Sequence, residues 1–157
     1  MKKRVLFVCI HNSARSQIAE ELLRKYGGDH FDVLSAGLEP SKEINPLVVE
    51  VLKEEGIDIS DKETNSVFEF FKQGKRFNYV VTVCDESNAQ KCPIFPSMKY
   101  RIHWSFVDPS SFEGTHEEKL EKTRAVKEQI KKEVLQLIEL SKAGELKDNV
   151  PGHWKIV

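Results

Sequence analysis

Cysteine is scarce in this chain of 157 residues: there are three, Cys9, Cys84 and Cys92, too few for a disulfide-built scaffold. No apolar run approaches the roughly 20 residues that a membrane helix needs. The first ten residues lack the length and cleavage pattern of a signal peptide. Charge of one sign is also missing. The 24 basic and 25 acidic residues leave a formal net charge of −1, which gives no argument for binding nucleic acid or an anionic membrane surface. Internal repeats, low-complexity tracts and a linker composition are absent too. These absences imply a single domain over residues 1–157, expected in a reducing cytoplasm as a monomer, where three thiols are available for chemistry rather than for structure. At 39% hydrophobic and 31% charged, the chain has the composition of a folded protein with a real core.

The apolar pattern along the chain alternates between strand and helix. Val5-Leu6-Phe7-Val8 is continuously apolar, as in a parallel strand covered on both faces. Ser16 to Tyr26 reads as a helix stopped by Gly27-Gly28, and Phe31 to Ser35 as a second strand running into Ala36-Gly37. Asn45-Pro46 opens another helix that ends at Gly56, and Val67, Phe68, Phe70 and Phe71 suit a short helix face. Tyr79 to Val83 is a third strand. A polar stretch follows from Asp85 to Lys91, which suits a mobile loop. Lys99 to Trp104 is a fourth strand. Thr115-His116-Glu117-Glu118 is a capping box that starts a long helix, and the tail from Lys147 has no period. This order predicts an α/β three-layer sandwich: a four-stranded, mostly parallel sheet flanked by helices. Ligands bind beyond the carboxyl ends of such strands, so Cys9, Cys84 and the loop holding Asp108 belong on one rim.

Cys9 ends the first strand, Arg15 stands six positions on, and Ser16 opens the helix. A cysteine ending a buried strand is commonly a small hydrophobe and nothing more. Here the strand-loop-helix junction aims backbone N–H groups and a helix N-terminus at one point, which suits a tetrahedral oxyanion. Arg15 adds a planar fork for two of its oxygens. The field that attracts an anion also favours a thiolate, so Cys9 becomes a nucleophile aimed at the central atom. Asp108-Pro109, alone an ordinary turn, could carry the acid that protonates a departing oxygen. Cys84 and Cys92 are spaced too widely for a Cys-x-x-Cys redox pair; as zinc ligands they would need two more, with no second cysteine pair and only scattered histidines, and inert cysteines are the other plain reading.

The Cys-x5-Arg-Ser pattern resembles the anion loop of the low-molecular-weight tyrosine phosphatase fold. The wider Val8-Cys9 … Asn12-Ser13 … Arg15-Ser16-Gln17 … Ala19-Glu20 is closer to the thioredoxin-coupled arsenate reductases of that fold. Val80-Val81-Thr82-Val83-Cys84 and Cys92-Pro93 match those reductases as well, with one more residue between the cysteines than is usual there. The resemblance implies reduction of arsenate to arsenite through a relay. Cys9 is the nucleophile, Cys84 and then Cys92 resolve, and thioredoxin regenerates the enzyme. Residues Ile10, His11, Asn12, Ser13, Ala14, Arg15 and Ser16 would bind the anion, with Asp108 as the acid. The relay also needs residues 84–92, which extended would span roughly 27 Å, to loop until their ends can bond, so a change of shape on oxidation is expected. Some relatives bind potassium, at positions that fall here at Asn12, Glu20, Ser35 and Asn65; Asn65 supplies an amide where a carboxylate is expected. No other cofactor is implied. His11 stands where glycine is common, and histidine tolerates left-handed backbone better than most residues. Ser110-Ser111-Phe112 replaces the tyrosines that usually follow Asp-Pro in the phosphatases. The alternatives are a phosphatase working through a cysteinyl-phosphate on Cys9, which would need neither Cys84 nor Cys92, and a non-catalytic redox-sensing module.

Overall fold

Residues 2–144, 146 and 150–156 are described by the structure, which is a computed structural model. Val5 to Val8 are fully buried, as an unbroken apolar run demands, and form the middle of β1 (Lys3–Cys9). This strand lies between β2 (Phe31–Gly37) and β3 (Tyr79–Thr82), parallel to both, and β3 pairs in parallel with β4 (Tyr100–His103). Among the described residues a fifth strand, β5 (Lys155–Ile156), joins the β4 edge antiparallel, with Ile102 opposite Ile156. Two residues are too few to show alternation, so the sequence pattern yields only four strands. Positions 147–149 and 157 of the tail lie outside the described residues.

Helices α1 (Arg15–Gly27), α2 (Pro46–Glu54) and α5 (His116–Lys142) cover one face of the sheet. Their apolar stripes (Ile18 and Leu22, Val48 and Leu52, Ile130 and Val134) meet Val5, Phe7 and Val81 in one core. The other face belongs to α3 (Val67–Lys72) and the segment after Cys92, where Phe70, Phe77, Phe95 and Cys92 itself pack on Leu6, Val8 and Val80. The three layers are those expected. Thr115 caps α5 as its sequence box predicts, its hydroxyl oxygen accepting the Glu118 N–H at 3.1 Å. Asn45 and Ser66 cap α2 and α3 in the same way. The stretch after Cys84 differs from the expected loop. It contains one helical turn, α4 (Glu86–Ala89), begun by Asp85, whose carboxylate accepts the Asn88 N–H at 2.8 Å.

Candidate active site

The loop from Cys9 to Arg15 is held from outside by its carbonyls. Those of Cys9, Ile10, His11 and Ser13 accept the N–H groups of Leu38, Glu39, Ser41 and Asn45 at 2.7–3.1 Å. In a trans peptide the N–H points opposite to the C=O, so the amides that follow these carbonyls turn inward. The Asn12 N–H does so, reaching Cys9 Sγ at 3.1 Å. The Ser16 hydroxyl lies 2.9 Å from the same sulfur. Asn12 takes the left-handed conformation, φ 54°, that the sequence reading allowed for at His11. His11 instead fixes the rim through its Nδ1, 2.9 Å from the Glu39 carbonyl. Ala14 offers α1 no side-chain cap, so unlike α2, α3 and α5 this helix presents its first N–H groups to the loop.

Gly37 brings β2 against the loop. A Cβ built on it would lie 2.7 Å from the Ile10 carbonyl oxygen and 2.9 Å from both Asn12 N and His11 C. Only a residue without a side chain fits between these backbones.

The other candidate residues converge as the topology requires, with one exception. Arg15 is buried and donates from Nη1 to the Phe106 carbonyl at 3.2 Å, while its Nη2 lies 3.5 Å from Asp108 Oδ2. Asp108 is itself held by the Ser110 N–H at 3.0 Å and is one-third exposed, so its carboxyl faces both Arg15 and solvent. Cys84 joins the core that contains Cys9 and is close enough to feel the charges of both Cys9 and Arg15. Burial, and then Cys9, push its thiol up to about 11, with Arg15 opposing. Cys92 is the exception. It packs in the core on the opposite face of the sheet, yet close enough to Cys84 to feel its charge: burial, and to a lesser degree Cys84, push its thiol up to about 12 while Arg101 opposes. All three cysteines are free and buried.

The four positions expected to hold potassium also come together, but their oxygens are already committed. Asn12 Oδ1 accepts from Gln17 Nε2 at 3.1 Å and from the Asn65 N–H at 2.8 Å. Ser35 accepts from Asn12 Nδ2 at 2.9 Å and donates to Glu20 Oε1 at 2.5 Å. The Asn65 amide donates to the Ser35 carbonyl at 3.0 Å. Glu20 is buried with two cations, Arg24 Nη2 at 2.5 Å and Lys62 Nζ at 2.9 Å. Lys62 therefore puts an ammonium where an ion would find its carboxylate, and these residues do not fit potassium. The sequence pattern does not reveal Gln17 as a partner of the loop or Lys62 as a partner of Glu20. Gln17 stands in the motif, whereas Lys62 lies in a stretch without any periodic signal.

Beside the loop an open groove of about 700 Å³ runs from His11 and Ser13 past Lys42 to Pro109, Ser110 and Phe112.

Comparison with known proteins gives one consistent result. The sequence profile of the family described as low molecular weight phosphotyrosine protein phosphatase matches residues 4–150. The arsenate reductase of Halalkalibacterium halodurans is 43% identical over 141 residues, which is 90% of this chain and 99% of that protein. A solved arsenate reductase in a phosphate-binding state superposes with a TM-score of 0.69 at 30% identity, covering 87% of this chain and 97% of the other. The thioredoxin-dependent arsenate reductase of Corynebacterium glutamicum superposes with a TM-score of 0.63 at 34% identity, over 89% of this chain and 63% of that one.

Proposed function

The chain belongs to the low molecular weight phosphotyrosine protein phosphatase family, and from that premise we propose that it reduces arsenate to arsenite by a three-cysteine relay. The observation that carries the reading is Cys84, a second thiol packed in the same core as the nucleophile and within the field of both Cys9 and Arg15. A phosphatase has no use for it. The identity with named arsenate reductases over nearly their whole length supports the same choice.

Arsenate sits in the cradle of amides from residues 10–16, with Arg15 on two of its oxygens. Cys9 Sγ forms a bond to arsenic while one oxygen departs as water, protonated from Asp108. Cys84 then attacks the sulfur of Cys9. The new S–S bond forms, the S–As bond breaks, its electron pair stays on arsenic, and arsenite leaves. Attack by Cys92 on Cys84 frees Cys9 and leaves the Cys84–Cys92 disulfide. That last step draws Cys92 out of the core of the other face, and a rearrangement of segment 85–92 on oxidation is the expected consequence. The reductant is thioredoxin. Ile94, 72% exposed, follows Cys92-Pro93 directly, and exposed Phe71 packs on Phe95 one position further; together they give a protein partner an apolar surface that a tripeptide thiol would not need. The chain acts as a cytoplasmic monomer on a free anion, with no nucleic acid or membrane involved; among the described residues no helix is long and apolar enough to cross a membrane.

No added cofactor is required. The Lys62 ammonium supplies the cation at Glu20, so replacing potassium with choline in the assay is expected to leave the rate unchanged, and Lys62→Met is expected to make it salt-dependent.

Two variants test the relay. Cys84→Ser should form the arsenic adduct yet release no arsenite. Cys92→Ser should release about one arsenite per chain and accumulate a Cys9–Cys84 disulfide, read by peptide mapping. Turnover of both variants at the wild-type rate would refute the relay. The groove beside the loop favours one second reading, a phosphatase that admits a larger ester; ester hydrolysis that survives both variants, with no arsenate-dependent oxidation of thioredoxin, would select it.

A further inference from the structure

Residues 151–156 lie beyond the family match, which ends at residue 150, yet they are built into the wall behind the site. Trp154 closes a turn on the Pro151 carbonyl at 3.0 Å and is only 5% exposed. Its indole N–H donates to Glu133 Oε2 at 2.5 Å, and the same buried carboxylate lies 2.7 Å from His153 Nε2. Beyond Trp154, β5 adds to the β4 edge. The segment is thus anchored to α5 on one side and to the sheet on the other.

What it touches is the start of the Asp108 loop. The Trp154 ring lies 5.2 Å from the ring of Trp104, which in turn lies 6.4 Å from Phe106 and 5.9 Å from Phe7. The Trp104 indole nitrogen is buried and has no hydrogen-bond partner among the described residues. Nothing polar therefore fixes its ring; the surrounding aromatic rings do. A cavity of about 260 Å³ between Trp104, Phe106, Gln129 and Glu133 leaves room into which the loop could relax. Phe106 is the residue whose carbonyl accepts from Arg15, and Asp108 follows two positions later.

We infer that Trp154, clamped by Glu133, is a positioning residue: through Trp104 and Phe106 it sets the angle of the Arg15 fork and the Asp108 carboxyl toward the bound anion. The inference rests on the proposed reaction for its kinetic meaning, but anion binding tests it independently. Trp104 and Trp154 are the only tryptophans in the chain, so emission reports on this wall directly.

The experiment uses the full chain with Trp154→Ala, Trp154→Phe, Glu133→Ala and Glu133→Gln. Inorganic phosphate is titrated against Trp104 emission, arsenate KM and single-turnover rate are measured, and thioredoxin reduction of preformed Cys84–Cys92 disulfide is timed, all below each variant's melting temperature. Trp154→Ala should weaken phosphate binding and raise arsenate KM about tenfold, with disulfide reduction unchanged, because a small misalignment of the fork costs on that scale. Glu133→Ala should follow it, and Glu133→Gln, which keeps an acceptor for the indole, should recover most of the loss. Phosphate affinity within twofold of wild type in a folded Trp154→Ala would overturn the inference, as would an equal loss in every step. Should the alanine variant not fold, Trp154→Phe decides: unchanged phosphate affinity there overturns the inference too. Failure of the wild type to turn over arsenate would sink the proposed reaction while leaving the phosphate titration decisive for Trp154.

Discussion

Gly37→Ala is the smallest change expected to damage the site without touching a reacting group. The added methyl would meet three atoms at 2.7–2.9 Å, and all three are backbone of the anion loop, which cannot swing aside as a side-chain tip could. Restoring ordinary contact requires the loop or the end of β2 to retreat by roughly 0.5–1 Å. Overpacking of this kind costs about 1–3 kcal/mol. For a chain of this size that lowers the melting temperature by about 2–4 °C per kcal/mol. The kinetic effect should be larger than the thermal one, because displacement of the cradle by up to an ångström costs up to about 100-fold. Gly152→Ala is the matched control, since nothing lies within 4 Å of the Cβ it would add and its backbone is not left-handed. Calorimetry on both variants, with single-turnover arsenate reduction and phosphate titration, separates the two effects. A Gly37→Ala protein that matched wild type in melting temperature and phosphate affinity would refute the claim that this contact sets the loop.

Asp108→Asn should slow formation of the Cys9 adduct by about 100-fold or more while leaving phosphate affinity within a fewfold, because a proton donor acts mainly in the transition state; unchanged single-turnover chemistry would remove Asp108 from the mechanism. Reduced protein should lose stability as pH rises above about 9. Unfolded cysteines ionise there, whereas folded Cys84 and Cys92 keep their protons until about 11 and 12, so the native state binds more protons and the slope is negative. Each thiol contributes at most about 1.4 kcal/mol per pH unit, and urea midpoints from pH 8 to 10.5 should flatten in the Cys84→Ser/Cys92→Ser double variant. Arg15→Lys should cost about 100-fold or more in kcat/KM, since a point charge cannot replace a fork that both binds an anion and docks on the Phe106 carbonyl.

The anion loop was readable from residues alone because its parts are contiguous: a strand, its terminal cysteine and an arginine at the head of a helix fall within thirteen positions. The same holds for the Thr115 cap, a contact between residues three apart. Asp108 could be placed on the right rim by topology, though not against Arg15, because the pairing spans more than ninety residues and carries no local signature. The helical turn after Asp85 is not legible although its cap is local; three polar residues and a single alanine have no apolar period to detect. Lys62 and Trp154 were out of reach for another reason. Each acts by touching a residue far along the chain, Glu20 or Trp104, and a lone lysine or tryptophan in aperiodic sequence names no partner. The face on which Cys92 sits follows from how the chain turns after β3, which spacing alone does not encode.

That placement makes electron flow conditional. With all three thiols together, a stray oxidant could run the relay through to its Cys84–Cys92 end, and the reductant would be spent idling with no oxyanion to reduce. Cys92 is instead stored behind the sheet, among Leu6, Val80 and Phe95. In the proposed relay its departure requires segment 85–92 to let go, and the event that calls for it is the Cys9–Cys84 disulfide, whose formation expels arsenite. The resting protein is therefore an open circuit that substrate closes.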